Sequence, residues 1–86
     1  MLLAENDALR AAIKFHLANE FQMALNIYSE IINNNSANYH ALHLLGILLI
    51  QNGYTVAGKN HITRSIQICG NYPEAQENLS MFENSA

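Results

Sequence analysis

The sequence predicts an all-α domain, a stack of antiparallel helix pairs with about five helices, and three observations carry that expectation. Apolar residues recur three and four positions apart along most of the chain, the period of a helix with one buried face. Asparagine and glycine stand where those stretches break, at Asn19, Asn33-Asn34-Asn35, Gly53 and Gly70. Sliding the chain along itself by about 34 residues lays small side chains on small ones and large on large. Ala12 then falls on Gly46, Phe15 on Leu49, Ala24 on Gly58 and Tyr28 on Ile62. A second slide takes Tyr39 to Pro73, Ala41 to Ala75 and Leu45 to Leu79, so a third unit begins.

The first helix is expected over about residues 5–18, with Ala8, Ala11, Ala12 and Phe15 turned inward and Asn19 as its left-handed stop. The second, about 21–33, buries Ala24, Leu25, Ile27, Tyr28, Ile31 and Ile32 and ends in the Asn-rich turn. Ser36 or Asn38 caps the third, about 39–52, which is apolar around most of its circumference and must be covered on more than one side. The fourth, about 55–69, sets Val56, Ile62, Ile66 and Cys69 at helical spacing, with small Gly58 and Ser65 for close packing; Gly70 is its expected left-handed stop. Pro73 opens the fifth, because a first-turn residue has no intrahelical use for an N–H. The organisation is one domain: a first unit at about 5–38, a second at about 39–72 and a terminal capping helix at about 73–84.

Composition narrows the function classes. Half the residues are apolar and 13% charged, enough apolar content for a packed core and little charge to oppose self-association. The net charge is −3, and Arg10, Lys14, Lys59 and Arg64 stand singly, so no basic stripe exists to neutralise phosphates and nucleic acid is not an expected partner. The apolar run 44–50 is far short of the roughly 20 residues that cross a bilayer, and Met1-Leu2-Leu3-Ala4 is too short for an export signal. A soluble protein without a membrane partner is expected. Cys69 is the only cysteine, which excludes an internal disulfide and fits a reducing, cytoplasmic setting.

Within the second unit the chain reads Leu42-x2-Leu45-Gly46-x2-Leu49 and then Gly58-x3-Ile62; the first reads Ala8-x2-Ala11-Ala12-x2-Phe15 and then Ala24-x3-Tyr28. This resembles the tetratricopeptide repeat family, whose signature is W-x2-L-G-x2-Y, A-x3-F and P at the same period. Leu42 and Ala8 replace the family's Trp, Gly70 and Ser36 stand at its Pro, and Gln76 and Glu83 depart from the third unit, as in a solvated end helix. The resemblance implies a right-handed superhelix whose concave groove, lined by the first helix of each pair, holds a peptide or amphipathic helix of another protein. Carried over, the groove comprises Asn6, Leu9, Arg10, Ile13, His16 and Leu17, then His40, His43, Leu44, Ile47, Ile50 and Gln51, then Glu74, Glu77, Asn78 and Met81. It would be apolar in the middle and acidic at the C-terminal end. The Lys, Asn and Arg clamp by which some members hold a carboxylate tail is replaced by Leu9, Ile13, Leu44, Glu74 and Asn78, which disfavours acidic tails.

Two other readings stand beside the groove. The uncharged 44–50 surface could pair with a second copy in a homodimer, making the chain a structural or assembly module. The phrase Leu44-Leu45-Gly46-Ile47-Leu48 also resembles the repeat arrays that precede some bacterial glycosyltransferases. A variant of the groove reading is a likeness to the small repeat-type chaperones of bacterial secretion needles.

Chemistry-bearing patterns are sparse. His40 and His43, three apart on a helix, could share a divalent ion if His16 approached, but no HExxH or carboxylate motif accompanies them, so they read as groove or surface histidines and no metal is expected. His61 is expected to face solvent and Cys69 to be a small core side chain. Glu74 and Glu77 read as a solvated acidic face; Ser29, Ser65 and Ser80 lack a nucleophile elbow, and the glycines make no phosphate loop. The chain is not expected to be an enzyme or to use a cofactor.

Overall fold

A computed structural model describes residues 4–84. Among them are five α-helices: α1 Glu5–Leu17, α2 Phe21–Asn34, α3 Tyr39–Gln51, α4 Thr55–Ile68 and α5 Pro73–Asn84. Each packs on its neighbour in the chain, with a lighter contact between α1 and α3, giving a stack of helix pairs 43 × 27 × 17 Å. No helix among the described residues is long and apolar enough to cross a membrane.

The turns follow from local chemistry. Asn19 adopts φ 61° and Gly53 φ 93°, the left-handed conformation that ends a helix and that these residue types tolerate. Before α3, Asn38 Oδ1 accepts the Ala41 N–H at 3.0 Å, so Asn38 rather than Ser36 is the cap. The Glu5 carboxylate accepts from the amides of Asn35, at 2.9 Å, and Asn38, tying the start of α1 to the α2–α3 turn. Gly70 is not the left-handed stop expected of it: α4 ends when Cys69 turns to extended backbone at φ −111°, ψ 94°, and Gly53 is the glycine with positive φ.

Two apolar clusters fill the stack. Ala12, Ala24, Tyr28, Leu45 and Leu48 form the first, under α1, α2 and α3. Ile62, Tyr72 and Ala75 form the second, between α4 and α5, with Tyr39, Ile47, Ile50 and Ile66 packed against it. α3 passes between them and accordingly buries Ala41, Leu42, His43, Leu45, Gly46 and Leu48. Gly46 and Gly58 meet where α3 crosses α4, close enough that a β-carbon on either would lie 2.5 Å from a neighbouring atom. Val56 departs from expectation: it is 75% exposed. Two residues before Gly58 on a helix means roughly 200° away, so with Gly58 turned to α3, Val56 faces outward.

Candidate functional site

Two hydrogen-bonded bridges link the odd-numbered helices, α1 to α3 and α3 to α5. On α1, His16 Nε2 lies 2.8 Å from Gln51 Oε1 at the end of α3, while its Nδ1 lies 3.0 Å from the Tyr28 hydroxyl of α2. Because the amide oxygen only accepts, Nε2 carries the ring proton and Nδ1 accepts from Tyr28. On α3, His43 Nδ1 lies 2.8 Å from the Tyr72 hydroxyl and its Nε2 lies 2.8 Å from the Asn78 amide nitrogen on α5. Both histidine–amide pairs are 35 residues apart, one beyond the repeat offset. The bridges are therefore two versions of one device, a tyrosine hydroxyl, an imidazole and an amide of the next odd helix.

Burial sets the electrostatics. Withdrawal from water pushes the Tyr28 phenol up to about 12. Burial, helped by the charge of Glu74 and by Tyr39 and Cys69, takes Tyr72 to about 12 as well. Burial also holds His43 below its ordinary value; Glu74 opposes this shift and His40 adds to it. His40 Nδ1 lies 3.1 Å from the Tyr72 hydroxyl, so two imidazoles converge on one phenol and not on a metal-ligand geometry. The rings of Tyr39, His40 and His43 all pack within 5.5 Å of the Tyr72 ring centre, mostly edge to face.

The expected groove residues divide into three groups. Leu17 is 80% exposed, and Asn6, Arg10, His40, Gln51, Glu74, Glu77 and Met81 are also exposed. Ile13, His16 and Asn78 are half-buried. Leu9, Leu44, Ile47 and Ile50 are also half-buried and pack against the two clusters, and His43 is 5% exposed, so His43 chiefly makes internal contacts. α3 is covered on both sides, which draws Ile47, Ile50 and His43 into contacts with α4 and the Tyr72 turn, while Leu9 on α1 packs against the first cluster. His61 is half-buried, not fully solvated, and its Nδ1–H donates to the Ala57 carbonyl at 2.7 Å. Cys69 is half-buried at the end of α4.

Sequence reasoning missed Tyr28 and Tyr72 as organising hydroxyls. Nothing in the apolar pattern distinguishes a tyrosine that fills space from one that anchors an imidazole. A usable signal was the recurrence of histidine and amide at the same offset, 16 with 51 and 43 with 78.

Beside the first bridge a cleft of about 290 Å3 opens between the α1–α2 turn and the end of α3, lined by His16, Leu17, Asn19, Phe21, Leu48, Gln51 and Asn52. The lining carries no carboxylate, Lys or Arg; His16, Asn19, Gln51 and Asn52 bring neutral polar groups to it beside Leu17, Phe21 and Leu48. No protein-family model, no curated protein and no solved structure matches the chain.

Proposed function

We propose that the chain is a non-catalytic protein–protein interaction module of the tetratricopeptide repeat type, receiving a peptide or amphipathic helix of another protein along the face shared by α1, α3 and α5. One observation supports this reading: the histidine–amide bridges link α1 to α3 and α3 to α5, helices on which Leu17, Gln51, Glu77 and Met81 are exposed. The binding set is then Ile13, His16, Leu17, His40, Gln51, Glu77, Asn78 and Met81. The repeat offset, the close approach of Gly46 to Gly58, and the short connections support the family reading. A cytoplasmic setting is in keeping with the free thiol of Cys69.

The test is cross-linking with a photoreactive residue at Leu17 or Gln51, compared with one at Thr63 on α4, in the native cell. Adducts to one segment of a partner from positions 17 and 51, absent from 63, are expected. Adducts chiefly from 63 would overturn the reading.

A second reading, assembly through a second copy, is favoured by the exposed apolar side chains of Leu17, Tyr54 and Val56, with Tyr54 stacked on Phe21 at 6.2 Å. Light-scattering mass over a dilution series distinguishes it: a dimer that Leu17→Asp splits supports self-assembly, and a monomer throughout refutes it.

A further inference from the structure

Tyr72 has one hydroxyl proton, yet two imidazole nitrogens approach its oxygen, His43 Nδ1 at 2.8 Å and His40 Nδ1 at 3.1 Å. A neutral hydroxyl satisfies both only by donating to one and accepting from the other. The order is set at the far end, where the Asn78 amide nitrogen donates to His43 Nε2 at 2.8 Å and so leaves the ring proton of His43 on Nδ1. The bonds then run one way, from Asn78 to His43, from His43 to Tyr72 and from Tyr72 to His40. His40, exposed at the start of α3, keeps its own proton on Nε2. The bridge at His16 runs with the opposite polarity, from Tyr28 through His16 to Gln51, and involves a single histidine.

An added proton has no free place in the His40–Tyr72–His43 chain. On His40 it takes Nδ1 and turns an acceptor into a donor, so the Tyr72 oxygen faces two N–H groups while its own proton, at a side chain only 8% exposed, loses its acceptor. Partners are regained only if His43 moves its proton to Nε2 and Asn78 turns its amide over. On His43 the proton takes Nε2 and meets the Asn78 NH2 group, which again must turn. Charging both rings adds repulsion between neighbours on α3. The titratable groups facing the pair are Tyr39 on α3, Cys69 and Tyr72 in the α4–α5 connection, and Glu74 on α5. Of these, Glu74 favours a charged His43, while burial and His40 oppose it.

We propose that this chain is a proton-operated latch on α5: neutral His40 and His43 hold α5 to the stack through Tyr72 and Asn78, and protonation of the pair releases α5 while α1 to α4 stay folded. Release uncovers Ile62 and Ala75 together with the packed faces of Leu79 and Phe82, a fresh apolar surface. The latch does not depend on the partner-binding reading.

The experiment is amide hydrogen exchange at about pH 7.5 and about pH 5.5, corrected for intrinsic rates, comparing α5 with α2. At the lower pH, protection in α5 is expected to fall by about tenfold or more while α2 keeps its own. His16→Gln should retain this response, and the double variant His40→Gln/His43→Gln should abolish it, since glutamine offers an acceptor but takes no proton. The latch is overturned if α5 does not respond, if α5 and α2 lose protection together, or if the double variant still responds. Should the double variant not fold, nitrogen NMR of the wild-type imidazoles decides. Midpoints for His40 and His43 that coincide with those of the α5 amides support the latch, and separate midpoints overturn it.

Discussion

Replacing Gly46 by alanine probes the crossing of α3 and α4 with a single carbon. That carbon would lie 2.5 Å from Ile62 Cγ1, 2.7 Å from the Gly58 carbonyl oxygen and 3.2 Å from the Ile62 nitrogen. Ile62 can shift part of its side chain, but a helical carbonyl cannot turn aside. Ordinary contact begins at 3.4 Å, so the 2.7 Å approach requires the helices to part by the difference, about 0.7 Å, at their tightest point. Overpacking of this kind costs about 1 to 3 kcal/mol. Alanine returns about 1 kcal/mol over glycine through helix propensity. With backbone as the obstacle the strain lies in the upper half of its range, leaving a net loss of about 1 to 2 kcal/mol. For a domain of this size that lowers the melting midpoint by roughly 4 to 16 °C. Circular dichroism through thermal and urea unfolding reads both quantities. Gly70→Ala is the control: it meets nothing within 4 Å and lacks a positive φ, so it should be neutral or slightly stabilising. Adding Gly58→Ala to Gly46→Ala should cost less than the sum, because one separation relieves both contacts. A Gly46→Ala protein as stable as the parent would refute the close crossing.

Asn38→Ala removes the cap of α3 and a bond to Glu5, and urea unfolding should show a loss of about 1 kcal/mol. Tyr28 and Tyr72 have phenol pKa values raised to about 12 from 10.0, so their contribution is present below pH 10 and lost as pH rises toward 12. Ultraviolet titration should show these two of the four tyrosines ionising late and together with unfolding; four tyrosines ionising alike would count against their burial. The basicity of His43 is lowered from 6.5, so its contribution is complete above that pH and declines as pH falls through the lower folded-state value. Denaturant midpoints measured against pH should fall on the acid side, and His43→Gln should flatten that decline. Ile50→Asp sets a carboxylate against Gly58 and should cost at least about 2 kcal/mol, whereas Leu17→Asp, at an open position, should stay within about 0.5 kcal/mol. Equal melting of those two variants would show that α3 is not covered as described.

Much of the fold was legible because local and periodic signals coincide in it. Asn19 and Gly53 stand at equivalent places and both take positive φ, Asn38 caps, Pro73 opens α5, and small Gly46 and Gly58 face each other. Val56 was misread because spacing was counted without fixing the phase of α4 on Gly58. Gly70 was misread because a glycine near a helix end need not be the residue that ends it; Cys69 had already left helical conformation. The candidate site was less legible. A list of groove positions treats α3 like α1, but α3 is covered from two sides, which draws Ile47, Ile50 and His43 inward. The hydroxyl–imidazole–amide bridges join side chains from separate helices, which helical periodicity, describing one helix at a time, does not display; in the sequence only the recurring 35-residue spacing of histidine and amide marks them.

The packing of each helix chiefly on its neighbour in the chain also governs how the molecule assembles and comes apart. Few distant segments must find each other, so little loop entropy is lost before contacts form and folding should be fast for the chain length. The α3–α4 pair, with its interlocked glycines, is the natural nucleus, from which order spreads outward to α2 and α5. Tension applied to the ends would peel the outer helices before the centre, yielding several small steps rather than one abrupt rupture.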